Sequence, residues 1–129
     1  MMREAVPHMI AQGRGSVVNV TAASSGAFSK EPVHHDRLLL YSLTKSGMNR
    51  LTTYMAQELR EHDIAVNGLS PGVVLSDRMI GGGPMPGAKP ATPEVLGPAM
   101  LYLAAQTASR MTGQIVHTDA FERDWPFVS

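Results

Sequence analysis

The sequence predicts an α/β fold in which parallel strands alternate with helices that cover both faces of one sheet. Three observations carry that prediction. Apolar residues recur at three- and four-residue steps in helical segments, short runs rich in valine and isoleucine follow them, and glycine and proline punctuate the changes. The order is helix, strand, helix, strand, helix, strand, and strands joined through helices run parallel by right-handed crossovers.

The first helix is read from "MMREAVPHMIAQGRG", where Met2, Val6, Met9 and Ile10 recur at helical spacing and Gly13 stops the run. A domain seldom begins partway along such a helix, so an upstream segment is expected. "SVVNV", Ser16 to Val20, is a short β-branched run and reads as a buried strand. The small and polar "TAASSGAFSKEPVHHDR" reads as a loop. From Leu39 to His62 the chain is expected to be helical, with Met48, Leu51, Met55 and Leu59 on one stripe. "IAVNGLS", Ile64 to Ser70, is a second strand, ended by Pro71-Gly72. Residues 73 to 92 hold "GGGPMPGAKP" and read as a mobile flap. Thr92 as N-cap, Pro93 at the first position and Glu94 in the first turn open a third helix. "GQIVHTD" supplies the third strand, and the tail "FERDWPFVS" closes the chain.

The 129 residues are the size of one domain, and no repeat or boundary divides them. A 43% hydrophobic and 17% charged composition is that of an ordinary globular chain. Eleven basic residues balance eleven acidic ones, which points away from nucleic-acid and acidic-membrane partners. Cysteine is absent, which excludes disulfides and thiol catalysis and fits a reducing cytoplasm. No apolar run approaches the roughly 18 residues of a membrane span, and the N-terminus lacks the features of a secretory signal.

In α/β sheets of this kind ligands bind outside the carboxyl ends of the strands. The loops after Val20 and Ser70 leave those ends, and Tyr41 begins the helix that follows the first of them. Lys45 lies one turn on, on the same helix face. A tyrosine hydroxyl with its unperturbed pKa of about 10 is a poor acid or base near neutrality; lowering it by ~2–3 units takes ~3–4 kcal/mol of differential stabilisation. Taken alone, the pair is either catalytic or a packed tyrosine with a solvated lysine. His34-His35 with Asp36 lacks further spaced ligands and reads as solvated loop, so no metal site is expected. The methionines, nine in all, mostly fill core gaps.

The blocks "GSVVNVTAASSG", "YSLTKSGMNRLTTYMAQEL", "IAVNGLSPGVVLSD" and "MTGQIVHTDAF", in that order and spacing, resemble the second half of a short-chain dehydrogenase/reductase. The resemblance covers nearly the whole chain. It implies a Rossmann-like parallel sheet with flanking helices, here truncated to about three strands. It also implies NAD or NADP as cofactor, a small-molecule alcohol or carbonyl substrate, hydride transfer coupled to proton transfer, and a homo-oligomer in the full-length form.

By that resemblance Tyr41 is the general acid/base, and Lys45 favours its phenolate and hydrogen-bonds the nicotinamide ribose. Asn67, Pro71 and Gly72 match the strand-then-"PG" element, Val74 presents backbone groups to the carboxamide, and Ser76 contacts the cofactor's amide or phosphate. Thr112, Gly113 and Gln114 match the run-in to the last strand, which continues as Asp119-Ala120-Phe121 where the family has aspartate and glycines. Asn19 belongs to a strand, with a structural hydrogen bond as its expected role.

Two departures stand out. The position of the family's catalytic serine is Ala22; either a small insertion brings Ser24, or next to it Ser25, to the substrate oxygen, or both are loop residues that cap or solvate, and the connection on to Tyr41 is lengthened by "SKEPVHHDR". The other departure is that no strand, glycine-rich turn and helix for the pyrophosphate appears in the sequence. "GRG" precedes a strand, and "GGG" neither follows a strand nor opens a helix. The 129 residues therefore read as a single domain, the C-terminal catalytic part of a Rossmann-type unit, expected by itself to hold dinucleotide weakly and turn over little or nothing. The alternative is a non-catalytic Rossmann-like remnant that acts by association with another subunit. Trp125 and Phe127 are expected to pack either on a sister subunit or on the chain's own core.

Overall fold

A computed structural model describes residues 2–22, 39–75 and 91–124. Helix α1 spans Met2–Gln12, strand β1 Gly15–Val20, helix α2 Leu39–Glu58, strand β2 Ile64–Ser70, helix α3 Gly97–Ala104, strand β3 Ile115–His117 and the short helix α4 Phe121–Asp124. The three strands form one parallel sheet in the order β1-β2-β3. Gly15 pairs with Ile64 through to Val20 with Leu69, and Gly68 pairs with Ile115 through to Ser70 with His117. No helix among the described residues is long and apolar enough to cross a membrane.

Side chains alternate across a strand, so β2 feeds two cores. Ile64 and Val66 pack with Ala56 and Leu59 on one face, where Met2, Val6, Met9 and Met55 close over them. Leu69 packs on the other with Ala99, Leu103, Met111, Val116 and Phe121. α1 and α2 thus cover one face and α3 the other, as the strand–helix alternation predicts.

Where an element ends is decided by local geometry. Gly13 takes a positive φ of 68° that stops α1. The predicted helix to His62 is α-helical only to Glu58; it then tightens into a 3-10 turn over Arg60–His62. Asp63 reverses the chain there in the left-handed conformation, φ 51°, and its carboxylate accepts the Ser109 backbone N–H at 3.0 Å. Thr92 stands at the predicted N-cap, but it caps a 3-10 turn over Pro93–Leu96 that precedes α3. Its hydroxyl makes no capping bond; it bonds the Glu94 carboxylate instead and holds that group below the usual carboxylate range. Val74 and Ala91 form an isolated parallel bridge at the two edges of the predicted flap; the flap residues between them, 76–90, lie outside the described residues.

The stripe expected on α2 is rotated by about one residue. Thr52, Ala56 and, just past the helix, Leu59 are buried, while Leu51 is exposed. The cause is polar and steric. Asn19 Nδ2 donates to Thr52 Oγ1 at 2.9 Å, and Thr52 Oγ1 donates to the Met48 carbonyl at 2.8 Å. At Ala56 the helix comes so close that a Cβ placed on Gly113 would lie 3.4 Å from the alanine methyl. Small residues at 52 and 56 allow that approach, and a leucine there would hold the helix off.

Asn67 is fully buried and ties β2 to the run-in of β3. Its Nδ2 donates to the Met111 carbonyl at 3.1 Å, and its Oδ1 accepts the Gln114 N–H at 3.0 Å. Replacing it by leucine keeps the branched shape but orphans the buried Met111 carbonyl and the part-buried Gln114 N–H, at about 1–3 kcal/mol for a fully buried group. Asn67→Leu is therefore expected to lower stability by about 2–4 kcal/mol, seen as a shifted urea midpoint at unchanged slope; a loss below about 1 kcal/mol would contradict the clamp.

Candidate active site at the strand ends

β1 and β2 end side by side. Val20 pairs with Leu69, and one residue further the Thr21 N–H donates to the Leu69 carbonyl at 2.8 Å. Thr21 and Ala22 are buried at this edge, so the position that would hold a catalytic serine carries a methyl group enclosed by protein.

α2 begins at Leu39 and brings Tyr41 and Lys45 to the same place. Lys45 reaches back to β1 and its Nζ donates to the Val20 carbonyl at 2.8 Å. The same Nζ lies 5.8 Å from the centroid of the Tyr41 ring. Tyr41 is exposed, and the backbone of its turn is stiffened by the Thr44 hydroxyl, which donates to the Tyr41 carbonyl at 2.7 Å. The arrangement sets a phenol hydroxyl and a cation at the carboxyl end of the sheet, where a proton can be exchanged with a ligand.

β2 continues into Pro71-Gly72. Gly72 has φ 69°, and a Cβ there would meet nothing within 4 Å, so the backbone is bare on that side and open to close approach by a planar group. Beside it lies a cavity of about 290 Å³ lined by Ser70, Pro71, Gly72, Val73, Ala91, Val95, His117, Thr118 and Asp119. The Thr118 hydroxyl donates to the Ser70 carbonyl at 3.2 Å, and the buried Ser70 Oγ has no hydrogen-bond partner among the described residues. These features fit the nicotinamide end of a dinucleotide. The leading glycine turn for its phosphates is absent from the sequence.

Of the residues singled out in the sequence, Tyr41 and Lys45 come together, and Pro71, Gly72 and Val74 stand at the neighbouring strand end. Ser24, Ser25 and Ser76 lie outside the described residues, as do His34, His35, Trp125 and Phe127. Thr112, Gly113 and Gln114 do structural work: the Thr112 hydroxyl accepts the Val66 N–H at 2.9 Å, and Gly113, at φ 77°, donates to the Val66 carbonyl. Asn19 is structural as expected, bonded to Thr52. Sequence reasoning missed the Val20 carbonyl as the seat of Lys45, and the polar lining from Ser70, His117 and Thr118. Backbone acceptors leave no trace in a sequence; the end of a β-branched run, one turn before a lysine in space, is the only signal.

The family model described as enoyl-(acyl carrier protein) reductase matches residues 1–120. The galactitol 2-dehydrogenase of Rhizobium johnstonii is 30% identical over 128 residues, a match covering 91% of this chain and 48% of that protein. Among solved structures, the acetoin dehydrogenase of Enterobacter cloacae superposes with a TM-score of 0.70 at 26% identity, over 98% of this chain and 52% of the other. The gluconate 5-dehydrogenase of Burkholderia cenocepacia, solved with NADP and tartrate, shares the fold with a TM-score of 0.72 at 22% identity, over 90% of this chain and 48% of the other. The chain spans about half the length of the curated relatives it matches. With the family match running through nearly all of its residues and a Rossmann-like sheet beneath it, the chain belongs to the short-chain dehydrogenase/reductase family, whose members use NAD or NADP.

Proposed function

We propose that these residues carry the acid–base half of an NAD(P)-dependent oxidoreductase that interconverts an alcohol and a carbonyl by hydride transfer. The observation that carries this reading is the placement of Lys45, tied to the Val20 carbonyl at 2.8 Å and 5.8 Å from the Tyr41 ring, at the ligand-binding end of a parallel sheet. In the reducing direction the Tyr41 hydroxyl gives its proton to the carbonyl oxygen, and the Lys45 ammonium favours the phenolate left behind. In the oxidising direction the phenolate takes the alcohol proton. The backbone of Pro71, Gly72 and Val74 would hold the nicotinamide end of the cofactor, with Lys45 on its ribose and Ser76 on its amide or phosphate. Bound there, NAD or NADP would supply or accept the hydride. Ser24, or Ser25 beside it, orients the substrate oxygen in this scheme, because Ala22 offers no hydroxyl.

In the same proposal residues 1–129 are one domain, the C-terminal part of a Rossmann-type unit, located in the cytoplasm and homo-oligomeric in its full-length form. Two things support the place of these residues in a larger Rossmann-type unit: the half-length coverage of the relatives, and a β1 whose outer edge pairs with no strand among the described residues. A second reading, a non-catalytic subunit that acts by association, is favoured by the leucines left exposed along α2. The two differ in whether any protein containing these residues reduces a carbonyl at the expense of NAD(P)H.

In such an active protein, Tyr41→Phe is expected to cut turnover by about a hundred- to ten-thousandfold while cofactor affinity stays within a few fold; retained turnover would refute the assignment. Lys45→Met removes both the cation and the tie to β1. It is expected to lower turnover as well and to destabilise the fold by about 1–2 kcal/mol in denaturant titration. The 129-residue chain by itself is expected to bind NAD or NADP more weakly than micromolar, for want of a helix N-terminus on the pyrophosphate. Micromolar affinity in isothermal titration would show that expectation to be wrong.

A further inference from the structure

β2 is buried throughout, yet it carries side by side two residue types that strands disfavour, Asn67 and Gly68. Each answers a different contact. Asn67 clamps the run-in of β3 through its side-chain amide. Gly68 has to be bare, because a Cβ there would lie 2.5 Å from the Ile115 side chain and 3.2 Å from the Thr21 methyl. The fold therefore sets an Asn-Gly pair in the middle of its central strand. The chain has three asparagines, and the other two precede valine and arginine.

Asparagine is among the chemically labile residues, and a following glycine makes it more so in a flexible chain. The glycine amide nitrogen attacks the side-chain Cγ; no Cβ obstructs it, and the bare backbone turns freely into the geometry required. A new N–Cγ bond closes a five-membered imide as the Cγ–Nδ2 bond breaks. Ammonia leaves, carrying the proton that the glycine nitrogen gives up. Water then opens one of the two imide C–N bonds, which yields aspartate or isoaspartate. Nothing is oxidised or reduced, and water is the only co-reactant.

In the folded chain every participant is held. The Gly68 N–H, the nucleophile, donates to the Gln114 carbonyl at 2.8 Å. Asn67 Nδ2, the leaving nitrogen, donates to the Met111 carbonyl at 3.1 Å, and Oδ1 accepts the Gln114 N–H at 3.0 Å. Both residues are buried, which keeps water from the Cγ. All three bonds end on residues 111–114, the segment that leads into β3. Moving that one segment away frees nucleophile and leaving group together and admits water. β3 pairs with β2 over only three residues, and a segment held by few bonds opens at less cost than the whole fold.

We propose that Asn67-Gly68 is a deamidation site gated by residues 111–114, and that its reaction makes a sustained opening of the β2–β3 junction irreversible. The products cannot rebuild the clamp. An aspartate carboxylate has no N–H for the Met111 carbonyl and buries a charge against that oxygen. An isoaspartate carries the main chain through its Cβ and adds a backbone atom ahead of Gly68. The pairing of Gly68 to Ser70 with Ile115 to His117 then falls out of register. A chain that stays open long enough is thereby withdrawn from the folded population.

The test is to incubate the chain at mildly alkaline pH, with and without guanidinium chloride, and to resolve the peptide spanning position 67 by chromatography and mass spectrometry. Asn67 is expected to convert about a hundredfold or more faster in denaturant than in buffer, because a stable fold keeps its open population small. In denaturant it is also expected to outpace Asn19 and Asn49. Equal rates in the two conditions, or a rate in denaturant no greater than that of Asn19, overturns the proposal. Gly68→Ala, read in denaturant where its ability to fold does not matter, is expected to slow conversion about tenfold or more; an unchanged rate overturns it as well. After dilution out of denaturant, chains that regain the native fold are expected to retain asparagine at position 67. Deamidated chains recovered in the folded fraction in undiminished proportion would show that the junction reseals, and the proposed irreversibility falls.

Discussion

All seven residues of β2 are buried, and a strand in that position needs neighbours on every side. Its two edges must pair, because an unpaired buried peptide group costs about as much as a lost hydrogen bond; β1 and β3 answer that need in parallel register. Its two faces must be covered, and the alternation of Ile64 and Val66 against Leu69 assigns α1 and α2 to one side and α3 to the other. Gly68 marks how tight the fit is: a Cβ there would come within 2.5 Å of the Ile115 side chain.

Polar groups set the register that apolar packing leaves loose. Asn67, Thr112 and Gly113 join β2 to the chain entering β3 through side-chain and backbone bonds. Asn19 and Thr52 fix which side of α2 meets β1. Ser16, on the opposite face of β1, donates to the Leu103 carbonyl at 2.8 Å and ties α3 to the same strand. Each such bond is modest on its own, but breaking one leaves a buried partner unsatisfied, so a shifted helix or slipped strand is penalised beyond its lost contacts.

α2 joins the fold to the proposed chemistry. Its inner side is held close by small residues, its first turns bring Tyr41 and Lys45 to the strand ends, and its outer side shows leucines. Lys45 illustrates the economy of the arrangement: one ammonium closes off the last carbonyl of β1 and stands beside the phenol. The tie to Val20 limits where that cation can go, and a fixed charge stabilises an anion with less reorganisation than a solvated one.

Much was legible in the sequence because it depends on local periodicity. β2 was found residue for residue, β1 within one residue, and α1 with its glycine stop. The pairing of Tyr41 with Lys45 followed from helical spacing, and the end of β2 at Pro71-Gly72 from the turn chemistry of proline and glycine. The rest depended on contacts between segments distant in the chain. The rotation of α2 came from Asn19 and Thr52, 33 residues apart; the shortening of the helix at Glu58 came with Asp63 reaching across to Ser109. What the sequence determined by itself was the order and kind of the elements. Only the tertiary structure decided which face of α2 is buried, which carbonyl receives Lys45 and which polar groups line the cavity beside Gly72, because those are matters of distance between segments that no spacing along the chain encodes.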